Sequence, residues 1–246
     1  MKRRLFLATS ISSALTACAP IGTALNNNPA FHALLGSAQG LNHGFIGTHG
    51  LAREYADRDV DRIFRVNGLP TPSDARYIDL LKRDFRNYAL VVDGAVDQKQ
   101  MLSLDSLAAL PQVTQTTRHD CVEGWSAIGK WSGVRLSDVL AKASPRSDAR
   151  YVVFHCMDTD DQGQPYYESL DLHQAMHPQA LLAMRLNDVA LDADHGAPVR
   201  LRVPTQLGYK SAKWVSRIEV VGSYANIYAG GGGYWEDQGY EWYAGI

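Results

Sequence analysis

Apolar positions in this chain recur mainly at a spacing of two, and helical spacing is confined to short stretches. Tyr88-Ala-Leu-Val-Val-Asp-Gly94 joins β-branched residues to a terminal Asp-Gly, the make-up of a strand running into a tight turn. Val199-Arg-Leu-Arg-Val203 alternates strictly, which puts Arg200 and Arg202 on one face of a strand, and 214–222 alternates again. The Thr/Val-rich stretch 112–118 predicts a strand that delivers Cys121 at its end or in the loop after it. Tyr151-Val-Val-Phe154 predicts another, opening into His155-Cys156-Met157-Asp158. Cys121 and Cys156 are therefore both expected where a strand gives way to a polar loop, a place where a rigid scaffold supports a shaped segment. Further strands are predicted over 166–172 and over 181–186, the latter turning back at Asn187-Asp188 as a hairpin.

Helical signals are fewer. One helix is predicted over about 74–84, and a short one over 103–110 starts on a serine cap and stops before Pro111. Leu136, Val139 and Leu140 give 134–142 a helical period, and 171–176 reads as a short helix or turn. Phe64-Arg-Val-Asn-Gly-Leu-Pro-Thr-Pro72 reads as extended, because a residue before proline is pushed out of helical geometry, with Asn67-Gly68 exposed at a bend. With no repeat and no break in composition after residue 60, these elements make one strand-rich α+β domain over 51–246.

Charge and composition remove some functions. A net charge of −2 with no basic stripe gives no case for nucleic acid. At the N-terminus, Lys2-Arg3-Arg4 precedes a modest apolar run ending at Cys18, too short to span a bilayer and laid out like an export signal over 1–17. Arg3-Arg4-Leu5-Phe6-Leu7 resembles a twin-arginine signal, a route that carries folded proteins, often around a cofactor. Leu15-Thr16-Ala17-Cys18 resembles a lipobox, which would acylate Cys18 and anchor the protein on the periplasmic side; the alternative is an ordinary cleaved signal with an incidental Cys18. The Gly-, Asn-, Ala- and Pro-containing 18–50 reads as an irregular tether.

Candidate chemistry concentrates in 116–133. Cys121 lies there among Arg118, His119, Asp120 and Glu123, followed by Trp125 and Trp131. Nearby cations favour the thiolate, which either attacks a substrate or binds a soft metal. Two other uses stay open: a disulfide with Cys156, and a nucleophile served by His119, which shares its face of a strand. Two further clusters stand out. In His195-Gly-Ala-Pro-Val-Arg200 the arginine fork suits a phosphate or an electron-rich heterocycle. In Gly208-Tyr-Lys-Ser-Ala-Lys-Trp214, Lys210 and Lys213 are placed to face an anion.

Arg118-His-Asp-Cys-Val-Glu-Gly-Trp-Ser126, His195-Gly-Ala-Pro-Val-Arg200 and Ser211-Ala-Lys-Trp214, in that order and approximate spacing, resemble the sulfite oxidase family of molybdopterin enzymes, above all its exported bacterial branch, over about 60–222. The resemblance implies a molybdenum–molybdopterin cofactor with a single pterin and Cys121 as the metal ligand. It implies that Asn67 and Gly68 line the pterin, that His195 and Arg200 contact the pterin and its phosphate, and that Ser211, Ala212 and Lys213 bind the phosphate end. Cys156 or Asp158 falls at a pterin contact, Glu123 matches a carboxylate near the metal that moves protons, and Tyr166 matches an active-site tyrosine, with Tyr167 leaving the register open.

The implied reaction is two-electron oxygen-atom transfer on a small substrate such as a sulfoxide. No haem domain accompanies the motifs, so electrons are expected to pass through a separate partner, a membrane haem protein or a soluble carrier. The arginine-rich run that binds sulfite in sulfite oxidases is replaced by Trp125, Ser126 and Lys130, which argues against sulfite. The aromatic tail over 230–246, with Tyr234, Trp235, Tyr240, Trp242 and Tyr243, departs from the family pattern and is expected either to close over the site or to cover an exposed sheet. A non-catalytic cofactor-binding or electron-transfer lipoprotein is the alternative function.

Overall fold

In a computed structural model that describes residues 50–246 and, before them, positions 30, 37, 40, 41, 43 and 44, strands dominate. The chain divides into units Met1–Phe45 and Ile46–Ile246, and the sheets and the cavity between them belong to the second. The export signal, Cys18 and most of the tether lie outside the described residues.

Short-range signals place the helices. Asp74 caps α1 (Ala75–Lys82) by accepting from the Arg76 and Tyr77 amides at 2.8 and 3.0 Å, and the helix buries Tyr77 and Leu80. Ser103 caps α2 (Leu104–Ala108) in the same way, and Asp171 caps α4 (Leu172–Ala175). α3 (Leu136–Ala143) buries Leu136, Val139 and Leu140, as their spacing predicts, but starts two residues later than expected because Val134 and Arg135 still belong to a strand.

One five-stranded sheet runs in the order β2 (Gln100–Ser103), β1 (Ala89–Gly94), β10 (Val215–Val221), β5 (Tyr151–Thr159), β6 (Pro165–Asp171), with β1 and β10 parallel and the other pairs antiparallel. The other runs β3 (Gln112–Cys121), β4 (Trp125–Arg135), β7 (Leu181–Leu186), β8 (Val189–Ala190), with β9 (Arg200–Arg202) also pairing to β7. Asn187 and Asp188, both at positive φ (51° and 65°), make the turn between β7 and β8 that matches strand twist. Leu90, Val152, Phe154 and Ile218 of the first sheet share a core with Leu182 and Leu201 of the second and with the faces of α1 to α3. A smaller cluster gathers Phe64, Trp131, Leu186 and Ala197.

β4 has no counterpart among the predicted strands. Its inward positions include Ala127, Gly129, Trp131 and Gly133, so burial alternates while hydrophobicity does not. The small residues are there for close approach: a Cβ on Gly133 would run into the Leu182 carbonyl of β7. Gly133→Ala is therefore expected to lower stability by about 1–3 kcal/mol, read as a shifted urea midpoint; an unchanged midpoint would show that β4 and β7 can separate freely.

Two expectations are corrected. Cys156 is not in a loop but within β5, opposite Val215 of β10. Asn67 is buried, and only Gly68 (φ 62°) is exposed at the bend.

Candidate active site

The sheets adjoin around a cavity of about 360 Å³. β3 brings Cys121 to its wall as the last residue of the strand, opposite Trp125 of β4, and the turn that follows adds Glu123. The pairing of β5 with β6 slips between His155 and Thr159, and this irregularity presents Asp158 to the cavity. Tyr166 enters from β6, Asn67 and Gly68 from the segment before α1, and Ser211, Ala212 and Lys213 from the connection between β9 and β10. The backbone holds that connection against β9: Leu201 N donates to Ala212 O at 2.8 Å and Val215 N to Val199 O at 3.0 Å.

The cysteine loop differs from its expected electrostatics. Arg118 turns to the surface and pairs with Asp120 at 2.9 Å. His119 shares the face of Cys121 but is buried and held well below its ordinary pKa, first by burial and then by Arg202, Arg200 and Lys213. Burial pushes the half-buried Cys121 thiol up, and the Glu123 charge adds to the rise against backbone amides that oppose it. Cys121 and Cys156 are both free. Cation activation of a thiolate, a His119 base and a disulfide are thus all set aside in favour of a protonated thiol on a cavity wall.

Glu123 is a fixed anion. Its carboxylate accepts from the Trp125 indole and from the Gly68 amide, each at 2.9 Å. The indole first, and then the amide and Arg65, hold its pKa below the ordinary value. Trp125 itself is not on the cavity wall; it stacks on His119 at 5.5 Å and meets Phe64 edge-on.

Asp158 is the reverse case: burial raises its pKa to about 7. Between its unfolded value near 4 and about 7 the folded protein binds more protons than the unfolded chain, so stability falls as pH rises, by up to about 1.4 kcal/mol per pH unit. In cofactor-free protein Asp158→Asn is expected to gain on the parent as pH climbs from about 5 to 8, by thermal melting; an equal shift at both ends contradicts this. Cys156, two residues earlier, is not among the wall residues. Of the two tyrosines, Tyr166 lines the cavity and donates to Tyr209 O at 2.7 Å, while Tyr167 faces away to Asp237.

Behind the wall stands a buried cationic frame. Arg200, 0% exposed, donates to Asn67 Oδ1 (3.2 Å), Ser211 O (3.1 Å) and His195 O (3.0 Å) and lies 5.0 Å over the Trp131 ring. Arg202 covers the same ring at 5.6 Å. Burial lowers their pKa values to about 10 and about 9, so both stay cationic. His195 supports this frame without reaching the cavity, its ring nitrogens contacting Asp192 and the Phe64 carbonyl. Lys213 does reach it; its ammonium donates to Leu69 O and Asp194 O, and burial with Arg200 nearby lowers its pKa to about 7.

Lys210 does not face an anion in the cavity. It is buried between Glu168 (2.6 Å) and Glu236, whose attraction more than offsets desolvation and raises its pKa. Tyr209, Asp160 and Asp161 also line the cavity, and no local pattern marks them, since a tyrosine beside a motif or acids in a polar loop are ordinarily surface features. The aromatic residues of the tail divide between two places. Tyr234, Trp235 and Tyr240 line the cavity, whereas Trp242 packs on Tyr224 and Tyr151.

The donor set fits a pterin with a phosphate. Among the described residues, Asp158 Oδ1 on the cavity wall is buried without a hydrogen-bond partner, as are Arg200 Nε, Arg202 Nε and Nη1 and both His119 ring nitrogens in the layer behind it. Such atoms cost free energy unless something else satisfies them. A carboxyl suits the N–H edge of a heterocycle, and the Lys213 ammonium beside the Ser211 hydroxyl suits a phosphate.

Comparison with known proteins agrees. A family described as the oxidoreductase molybdopterin binding domain matches residues 77–228. A protein of Azospira oryzae, named as a candidate protein-methionine-sulfoxide reductase subunit, is 43% identical over 195 residues, 79% of this chain and 68% of that one. The catalytic subunit of a protein-methionine-sulfoxide reductase of Campylobacter jejuni is 32% identical over 63% of this chain and 56% of its own length. The sulfane dehydrogenase SoxCD of Paracoccus pantotrophus superposes with a TM-score of 0.50 at 24% identity, covering 56% of this chain and 39% of that one, a likeness of fold. The α+β, strand-rich architecture, the motifs and the family match converge: the chain belongs to the sulfite oxidase family of molybdopterin-binding oxidoreductases.

Proposed function

We propose that this oxidoreductase removes the oxygen atom from a small S-oxide, with Cys121 ligating the molybdenum of a single-pterin cofactor. The observation that carries this reading is Cys121 on the cavity wall, its thiol pushed up by burial and set against the ionised carboxylate of Glu123. A raised thiol pKa suits a poor nucleophile, whereas coordination by a metal displaces the proton outright. When bound, the cofactor supplies the two-electron chemistry of oxygen-atom transfer. Asn67, Ser211, Ala212, Lys213 and Asp158 would hold its pterin and phosphate, with Arg200 bracing Asn67 and the Ser211 backbone.

The balance is R₂SO + 2H⁺ + 2e⁻ → R₂S + H₂O. Glu123, fixed by Trp125 and Gly68, accepts protons from solvent and passes them to the departing oxygen. Tyr166, tied to Tyr209 O, shapes the site and keeps water from it. Electrons come from a separate carrier, a membrane haem protein or a soluble one. The relatives named as sulfoxide reductases support the substrate class, and so does the wall, which carries no arginine among the described residues to receive an anion such as sulfite. Arg3-Arg4-Leu5-Phe6-Leu7 and Cys18 support export to the periplasmic side with a lipid anchor. The test is Cys121→Ser, with molybdenum content and sulfoxide turnover measured against the parent.

A further inference from the structure

Five aromatic rings on the cavity wall form a chain with defined angles. Tyr166 stacks on Tyr234 (5.5 Å, 27°), and Tyr234 meets Trp235 edge-on (5.3 Å, 85°). Trp235 lies against Tyr240 (5.2 Å, 32°), and Tyr240 meets Tyr209 edge-on (5.5 Å, 88°). The hydrogen bond from the Tyr166 hydroxyl to Tyr209 O at 2.7 Å joins the two ends. All five residues line the cavity that Cys121 borders, and three of them come from the C-terminal segment that departs from the family pattern.

That segment is built into the protein. Helix α5 (Tyr234–Asp237) is fixed from beneath by Lys210, which joins Glu236 of the helix to Glu168 of β6, all three buried. Asp237 accepts from the Tyr167 hydroxyl (2.7 Å) and the Gly231 amide (2.7 Å), and Tyr234 donates to Asp160 at 2.8 Å. An arrangement held by buried charges on one side and a carboxylate on the other presents its rings in one geometry.

The charges on the same wall are one-sided. Glu123, Asp160 and Asp161 line the cavity beside Asp158, whose carboxyl burial raises to about 7, and Lys213 is the one lysine there among the described residues, its ammonium donating to two carbonyl oxygens. Backbone amides, first that of Gln164, keep Asp160 ionised. Ring faces attract cations, and carboxylates at a mouth lined by rings add to that attraction and repel anions. The protein already pairs cations with rings beside the site, with the Lys213 ammonium 4.1 Å from the Trp214 centroid and Lys210 5.9 Å from that of Tyr209.

We propose that Tyr166, Tyr209, Tyr234, Trp235 and Tyr240 form an aromatic box that receives an alkylammonium group on the non-reacting part of the substrate. This rests on the reading of the cavity as the site of oxide reduction and narrows it: the substrate is an S-oxide bearing a positive charge, and its anionic analogues are poor substrates. Trp235 and Tyr240 set specificity, and Lys210, Glu168 and Glu236 are positioning residues.

The test compares choline with its neutral carbon isostere, 3,3-dimethylbutan-1-ol, by calorimetric titration of the holoenzyme, with molybdenum content measured on the same samples. Choline is expected to bind about tenfold more tightly, the factor that ~1.4 kcal/mol of cation attraction corresponds to. Tyr240→Leu and Trp235→Leu should bring the ratio near one with molybdenum unchanged. Asp161→Asn, at an exposed position that leaves the rings intact, should weaken choline severalfold and leave the alcohol as it was. Equal affinities in the parent, no binding of either probe, or a ratio unmoved by all three substitutions would overturn the box. A choline preference in protein that takes up no molybdenum, even with a working cofactor supply, would keep the box and sink the oxide-reductase reading.

Discussion

Cys121→Ser is expected to abolish oxide reduction and to lower bound molybdenum by more than about tenfold. The two side chains are nearly isosteric and Cys121 is only half-buried, so the fold should hold and the loss should be chemical. A serine hydroxyl is hard and keeps its proton near neutral pH. The thiol, though pushed up by burial, loses its proton readily to a soft metal. Elemental analysis of both proteins made with the same cofactor supply, together with turnover on a sulfoxide panel, reads the two effects separately. A variant that keeps full molybdenum and full turnover would remove Cys121 from the metal; one that keeps molybdenum but loses turnover would assign it to the reaction alone.

The second large effect concerns stability. Lys210→Met is expected to cost about 3–5 kcal/mol, because it strands Glu168 and Glu236 in a dry interior without their shared cation. Burial already holds the Glu168 pKa well above the carboxylate range, with Lys210 opposing that rise. Without the lysine, the folded state can keep Glu168 only in protonated form. The variant should therefore recover part of its loss as pH falls toward 5 and lose more as pH rises. Adding Glu236→Gln to Lys210→Met should restore some stability by removing one stranded charge. Urea midpoints across pH decide the matter, and a pH-independent loss below about 1 kcal/mol would show that the triad is hydrated. The same substitution should loosen α5, so aromatic-box binding should fall with it.

Much of the framework is legible in the chain. α1 and α2 follow from Asp74 and Ser103 as caps, α3 from the spacing of Leu136, Val139 and Leu140, and the β7–β8 turn from Asn187-Asp188, because each depends on neighbours within a few residues. β4 escaped because its buried face is built of Ala, Gly and Trp chosen for close sheet contact, which no hydrophobic alternation reports. The cysteine loop stood out by its composition, and the cofactor motifs by their order along the chain.

Electrostatics was another matter. Arg118 and His119 look like activators of Cys121 in the sequence, yet one pairs with Asp120 at the surface and the other is buried and held neutral. Lys210 and Lys213 sit three residues apart and look alike; one is enclosed by two carboxylates and the other reaches the cavity. Local sequence settled most of the helices and strands, β4 apart, and which residue types cluster about Cys121, since these follow from periodicity, capping and side-chain chemistry at short range. Tertiary structure alone decided which charges are dry, which carboxylate keeps its proton and that five rings from β6, the β9–β10 connection and the C-terminal segment meet in one wall, because desolvation and contact depend on residues tens of positions away that only packing brings together.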